Sequence, residues 1–387
     1  MVPQAQLIIT EPELVKQILS NKDRSYPKTK VSSEIKKLLG DGIVLSEGEK
    51  WVKLRKLANH AFHGESVKIL TSEVISRTSF GSSYLEGQHV FDMLTRMTHI
   101  ISENNYRVRI PGIGKFVKAS YDIEFENLEA KIRESFMNMM KKREKDAMFG
   151  ELDGYGHDLF GLLLNAYHDS DETRKISLDD LIDQCKNFYL AGQETSASAL
   201  TWIVFLLSVH TDWQDKARKE VLELFGQQIP SQDRIAKLRI MGMVINESLR
   251  LYTPNAILMR RVERETRLGK ITVPANTEVY ISTLAVHQNP EIWGEDALLF
   301  KPERFADGVV KATNSNIAAF LPFGLGPRNC AGMNFAITET KLALSMILQH
   351  YSFTLSPTYA HCPTEVLTMC PQHGVQVILQ PYQPNLL

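Results

Sequence analysis

The chain has 387 residues, 43% of them hydrophobic and 23% charged, with a formal net charge of −1 at pH 7. That balance is long and apolar enough for a large globular core, and its neutrality excludes a dedicated nucleic-acid binder, which carries a basic excess. The four cysteines, Cys185, Cys330, Cys362 and Cys370, form no Cys-x-x-Cys pair, so they read as reduced thiols rather than a disulfide framework. No apolar run approaches the roughly 20 residues of a membrane span. The start, MVPQAQLIIT, lacks the charged and apolar regions of a signal peptide.

Apolar residues recur at helical spacing in EPELVKQIL, EKWVKLRKLANHAF, IEFENLEAKIRESFMNMMKKREK and residues 178–209. ELDGYGHD reads as a surface loop, and the methionines of ESFMNMMKK read as core packing. Residues 212–225 and 235–251 continue the helical pattern. Short strand-like segments follow, AILMRRV, ITVPA and TEVYIST, then a helix over 331–350 and a last strand at VQVIL. With no internal repeat and no low-complexity linker, the pattern predicts a mainly α single domain over residues 1–387 with small β-sheets.

The segment FLPFGLGPRNCAG, residues 320–332, gathers glycine, proline and arginine ahead of one cysteine. Gly324, Gly326 and Pro327 imply a tight turn. Cys330 then lies just before or at a helix N-terminus, where free N–H groups and the helix dipole favour a thiolate. Arg328 adds fixed positive charge, and Ala331 and Gly332 leave room for something flat against the helix start. A thiolate beneath a planar ligand suggests haem iron; a buried structural cysteine is the competing reading.

The run from Phe323 to Gly332 resembles the haem-binding signature of the cytochrome P-450 monooxygenases at every fixed position. The blocks WVKLR at 51–55, AGQET at 191–195, ESLR at 247–250 and FKPERF at 300–305 follow the family order. The resemblance covers nearly the whole chain and points to plant enzymes of the clan of secologanin-synthase-like and cytokinin-hydroxylase proteins. It implies a cytochrome P-450 fold, incomplete at the N-terminus and lacking one internal helix near residue 70, where HGESVKIL runs directly into TSEVISRTSF.

The resemblance also assigns roles. Cys330 is the axial ligand of the haem iron, which this family holds by a cysteine thiolate. Phe323, Gly324, Ala331 and Gly332 surround it. Trp51 and Arg55 meet a haem propionate together with Arg328 and Arg260; Arg261 is the alternative to Arg260, since neighbouring strand residues face opposite ways. Glu247, Arg250 and Arg304 form a structural triad. Ala191 and Gly192 let a helix pass close over the haem, and Thr195 with Glu194 relays protons to the oxygen.

The implied activity is insertion of one oxygen atom from dioxygen into a small apolar substrate. Electrons come from NADPH through NADPH-cytochrome reductase, and the family resides at the cytosolic face of the endoplasmic reticulum membrane. Two alternatives stay open: a haem-thiolate isomerase or dehydratase that does not activate dioxygen, and a truncated haem-binding pseudoenzyme without catalysis. Lys50, Lys53 and Lys56 suggest a basic docking face for the reductase. Asn187, Ala191, Asn255 to Leu258 and Leu367 are candidate pocket residues. His287 and His361 lack partners at metal-ligand spacing and read as structural histidines.

Overall fold

The structure, a computed structural model, describes residues 5–61, 84–104 and 120–382. The helices, in chain order, are α1 (Pro12–Leu19), α2 (Ser33–Leu39), α3 (Gly48–Ala61), α4 (Tyr84–Asn104), α5 (Ser120–Met148) and α6 (Leu159–Tyr167). They continue with α7 (Leu178–Val209), α8 (Thr211–Phe225), α9 (Arg239–Leu251) and α10 (Met333–His350). Short helical turns, Thr283–His287 and Pro302–Phe305 among them, link the later elements. The mainly helical class with small sheets is therefore as expected. The internal gap expected near residue 70 lies outside the described residues.

The chain divides into two compact units, residues 31–193 and residues 1–30 with 194–387, and the division falls inside α7. In the unit of residues 31–193, side-chain caps start three of the described helices, α7 among them, where Ser177 accepts the Asp180 N–H at 3.1 Å. Ser32 accepts the Ile35 N–H ahead of α2, and Asp158 accepts the Gly161 N–H ahead of α6 at 2.7 Å. Arg143 binds the same Asp158 at 2.9 Å, so the α6 cap is also fastened to α5. The core there is aromatic, with the Tyr189 ring 4.5 Å from Phe91 and 5.5 Å from Phe136.

The other unit is built around a three-stranded sheet of β1 (Gln6–Ile9), β2 (Ile257–Arg261) and β5 (Glu278–Ser282), with β5 in the centre. β1 runs parallel to β5, with Leu7 opposite Val279; β2 runs antiparallel, with Arg260 opposite Val279. Alternation along β2 buries Arg260 and turns Arg261 outward, where it pairs with Glu263 at 3.0 Å. One hydrophobic cluster joins this sheet to α1 through Val15, Ile18, Val279, Ile281 and Leu321. Among the described residues this unit also has three two-stranded sheets: β3 (Thr266–Leu268) with β4 (Ile271–Val273), β6 (Tyr351–Leu355) with β9 (Val377–Pro381), and β7 (Pro363–Glu365) with β8 (Met369–Pro371). Helix α10 begins at Met333 rather than Ala331, because Gly332, at φ −97° and ψ 19°, stands outside helical geometry as the N-cap.

Candidate active site

The cysteine loop is fixed by its backbone. Gly324 and Gly326 take φ values of 71° and 74°, in the left-handed region that glycine alone enters cheaply. At Gly326 a Cβ would also sit 2.2 Å from the Leu19 carbonyl oxygen, so the loop lies directly against the end of α1. The Cys330 N–H donates to the Phe323 carbonyl at 2.8 Å and closes the turn. The Cys330 thiol is in no disulfide among the described residues and is exposed, and three residues later α10 begins. That is the placement expected of a sulfur meant for a ligand rather than a disulfide.

Cys330 opens onto a cavity of about 210 Å³, whose lining includes Thr195, Ser196, Arg260, Arg328 and Thr340. Ala199, Ile245, Leu249 and Leu258 supply apolar wall, and Phe323 and Gly324 belong to it as well. One thiol and two guanidinium groups on a largely apolar cavity suit an iron porphyrin, whose iron a cysteine thiolate could hold and whose carboxylates the cations could pair. Sequence reasoning missed Lys28, a third cation of the lining. It carries no motif, and is brought there because the Pro27 carbonyl accepts the Arg261 N–H at 2.9 Å beside the buried Arg260.

Trp51 and Arg55 lie four apart and half-buried on α3, and Ala191 and Gly192 lie on α7; all four belong to the unit of residues 31–193. Glu194 is half-buried beside Thr195 on α7. Ala331 and Gly332 are half-buried between Cys330 and α10. Of the pocket candidates, Asn255 and Leu258 line the cavity. Asn187 does not present itself to a ligand. It is buried, donates to the Leu39 and Asp183 carbonyls, and accepts the Val44 N–H at 3.2 Å, so its amide holds the loop after α2. Leu367 sits in the turn between β7 and β8.

The basic face expected on α3 is also revised. Lys50 pairs with Asp41 at 2.9 Å and with Asp180, and Lys53 donates to the Lys175 carbonyl. Both are ties within their own unit rather than charges held out for a partner. Lys56 is exposed.

Behind the cysteine loop stands the triad. Arg250 donates from Nε and Nη2 to the two oxygens of Glu247 at 2.7 and 2.8 Å, and neither side chain is exposed. Arg304 lies 3.4 Å from Glu247 Oε1, which also accepts the Lys301 N–H at 2.9 Å. His287 joins this group to the cysteine loop. Its carbonyl accepts from Arg250 at 2.7 Å, and its Nε2 accepts the Leu321 N–H at 2.7 Å. Burial first, and then the Arg250 charge, pull the His287 pKa down to about 3, so the ring is neutral and can accept. His361 stacks on Phe205 and hydrogen-bonds the Tyr252 and Tyr359 hydroxyls, likewise a structural use.

Comparison with known proteins agrees with this geometry. Residues 1–72 and 65–379 match the family model described as cytochrome P-450, in two segments that meet where the sequence suggests the internal gap. The chain is 52% identical to cytochrome P-450 CYP749A22 of Panax ginseng over 98% of this chain and 78% of that protein. It is 39% identical to an 11-oxo-beta-amyrin 30-oxidase of Glycyrrhiza uralensis, over 97% of this chain and 78% of the relative. Among solved structures it is similar to the cytochrome P-450DA haem domain, with a TM-score of 0.79 at 23% identity, covering 97% of this chain and 87% of the other.

Proposed function

The chain belongs to the cytochrome P-450 family, a haem-dependent monooxygenase, and on that premise we propose that it oxidises a small polycyclic terpenoid with electrons passed from NADPH by a partner reductase. The observation that carries the reading is the meeting of Cys330 and Thr195 in the lining of one cavity. Haem, when bound, supplies the oxidising chemistry at its iron. Cys330 would hold that iron from the loop, and Arg260, Arg328 and Lys28 would hold its carboxylates. Thr195, with Glu194 beside it, would hold a proton where oxygen is reduced. Ala199, Ile245, Leu249 and Leu258 would keep water from the substrate side and give an apolar molecule its contact area.

A terpenoid substrate is supported by the Glycyrrhiza relative, an 11-oxo-beta-amyrin 30-oxidase. A place at the cytosolic face of the endoplasmic reticulum is part of the same reading; among the described residues no helix is long and apolar enough to cross a membrane. The test has two steps. The reduced protein with carbon monoxide should give the spectrum of thiolate-ligated haem, and 11-oxo-beta-amyrin with NADPH and a plant reductase should yield an oxygenated product. A thiolate spectrum with a product that gains no oxygen would establish instead a haem-thiolate isomerase or dehydratase. No haem uptake would leave a pseudoenzyme.

A further inference from the structure

Helix α10 carries a carboxyl group that the reading above does not use. Glu339 is 1% exposed, and its Oε2 accepts from the Ser196 hydroxyl at 3.0 Å. Its other oxygen, Oε1, is buried and has no hydrogen-bond partner among the described residues. Burial, opposed only by the Ser196 hydrogen bond, pushes its pKa up to about 8, which keeps it largely protonated at neutral pH.

A buried carboxyl with no cation beside it lowers stability relative to an apolar residue of the same size. Its position gives the reason for keeping it. Ser196 follows Thr195 directly on α7, and both line the cavity onto which Cys330 opens. On α10, Ala336 and Thr340 line that cavity while Glu339 turns inward against α7. A roll of α7 about its axis would move Ser196 and the adjacent cavity residue Thr195 together. The Ser196–Glu339 hydrogen bond opposes that roll next to Thr195.

We propose that Glu339 is a positioning residue for oxygen activation: its buried hydrogen bond holds Ser196, and through it fixes the direction of the adjacent Thr195 side chain. The proposal rests on the monooxygenase reading. A neutral hydrogen-bonding group suits this task better than a carboxylate, because it grips the hydroxyl without placing an uncompensated charge beside the haem site.

The test uses the haem-loaded protein with NADPH, a plant reductase and 11-oxo-beta-amyrin, scoring product and peroxide per NADPH consumed. Glu339→Leu and Ser196→Ala should each keep haem content and lower product per NADPH by about tenfold or more, the scale of a misplaced reacting group. The double variant should be no worse than either single one, and Glu339→Gln, neutral and able to hydrogen-bond, should recover most of the coupling. In the resting protein, difference infrared spectra should show the carbonyl band of a protonated acid in wild type and lack it in Glu339→Gln. Full coupling in Glu339→Leu beside an uncoupled Thr195→Ala would overturn this proposal alone. Full coupling in Thr195→Ala would overturn the role of the Thr195 hydroxyl on which the proposal depends, and absence of any oxygenated product in wild type would overturn the monooxygenase reading beneath it. Glu339→Gln as uncoupled as Glu339→Leu would also overturn positioning, since the acid proton itself would then be required.

Discussion

Arg250 and Glu247 face each other at 2.7 Å within one turn of α9, with both side chains wholly withdrawn from solvent. All five guanidinium N–H groups of Arg250 are used: Glu247 takes two, and the carbonyls of His287, Ala297 and Leu299 take the rest. A buried ion pair gains little over an apolar pair, but breaking it strands a charge. Arg250→Met should therefore cost about 3–5 kcal/mol of unfolding free energy, read from urea titrations of the haem-loaded protein. Arg304 is 15% exposed, lies 3.4 Å from Glu247 and also holds the Trp293 and Asp296 carbonyls. Arg304→Met leaves the Glu247–Arg250 pair whole and should cost about 1–3 kcal/mol. Equal costs would contradict this division of labour.

Two glycines separate strain from collision. Gly308 has φ 86° with open space where a Cβ would point, whereas Gly326 has φ 74° with the Leu19 carbonyl 2.2 Å away. Gly308→Ala should cost about 1–2 kcal/mol, the price of the left-handed backbone alone. Gly326→Ala must in addition push the cysteine loop off α1, so haem occupancy should fall along with stability. Haem retained at the wild-type level in Gly326→Ala would show that the loop gives way elsewhere.

The cysteines make a second series. Cys330→Ser should abolish the thiolate spectrum of the reduced carbon monoxide complex. Cys185→Ala, Cys362→Ser and Cys370→Ser should preserve it, because Cys185 is fully buried and Cys362 donates to Gln372 at 2.9 Å. Loss of the signature in another member of the series would reassign the ligand.

Thr195→Ala removes a hydroxyl from the cavity and little volume, so folding and haem uptake should survive. Product per NADPH should drop while peroxide rises, within the roughly 10²–10⁴-fold range of a lost proton donor, moderated where water substitutes. Unchanged coupling with 11-oxo-beta-amyrin would take Thr195 out of the mechanism.

What the sequence reveals and what it withholds divide by distance along the chain. The cysteine loop is legible because its glycines, its proline and the following helix lie within a few residues, and turn chemistry is local. Glu247 and Arg250 are legible because three residues is one helical turn. The Ser196–Glu339 hydrogen bond joins residues 143 apart, and neither end carries a motif that names the other. The same holds for Lys53, whose carbonyl partner on Lys175 turns a supposed docking charge into an internal tie. Asn187 reads as a pocket residue from its place one turn before Ala191, and only tertiary structure shows its amide spent on residues 39 and 44. The cysteine-loop contact with Leu19 is equally remote, although the need for glycine at 326 is not.

The two buried titrating groups predict a stability profile with opposite slopes. Glu339 has a folded pKa of about 8, above its ordinary 4.5. The folded protein keeps a proton that the unfolded chain releases, so this contribution is full below pH 4.5 and is lost as pH rises through 8. His287 has a folded pKa of about 3, below its ordinary 6.5. There the unfolded chain binds the proton first, so that contribution is full above pH 6.5 and is lost as pH falls through 3. Between pH 4.5 and 6.5 the two slopes cancel. From 6.5 to 8 Glu339 acts without His287, and stability should fall by up to about 1.4 kcal/mol per pH unit. Urea unfolding across this range should show that decline in wild type and a flatter line in Glu339→Gln. His287→Gln, which can still accept the Leu321 N–H, should leave the alkaline limb unchanged and soften the acid limb below 4.5. A wild-type profile that is level from pH 6.5 to 8 would mean that Glu339 is ionised in the folded protein, with a partner that compensates its charge.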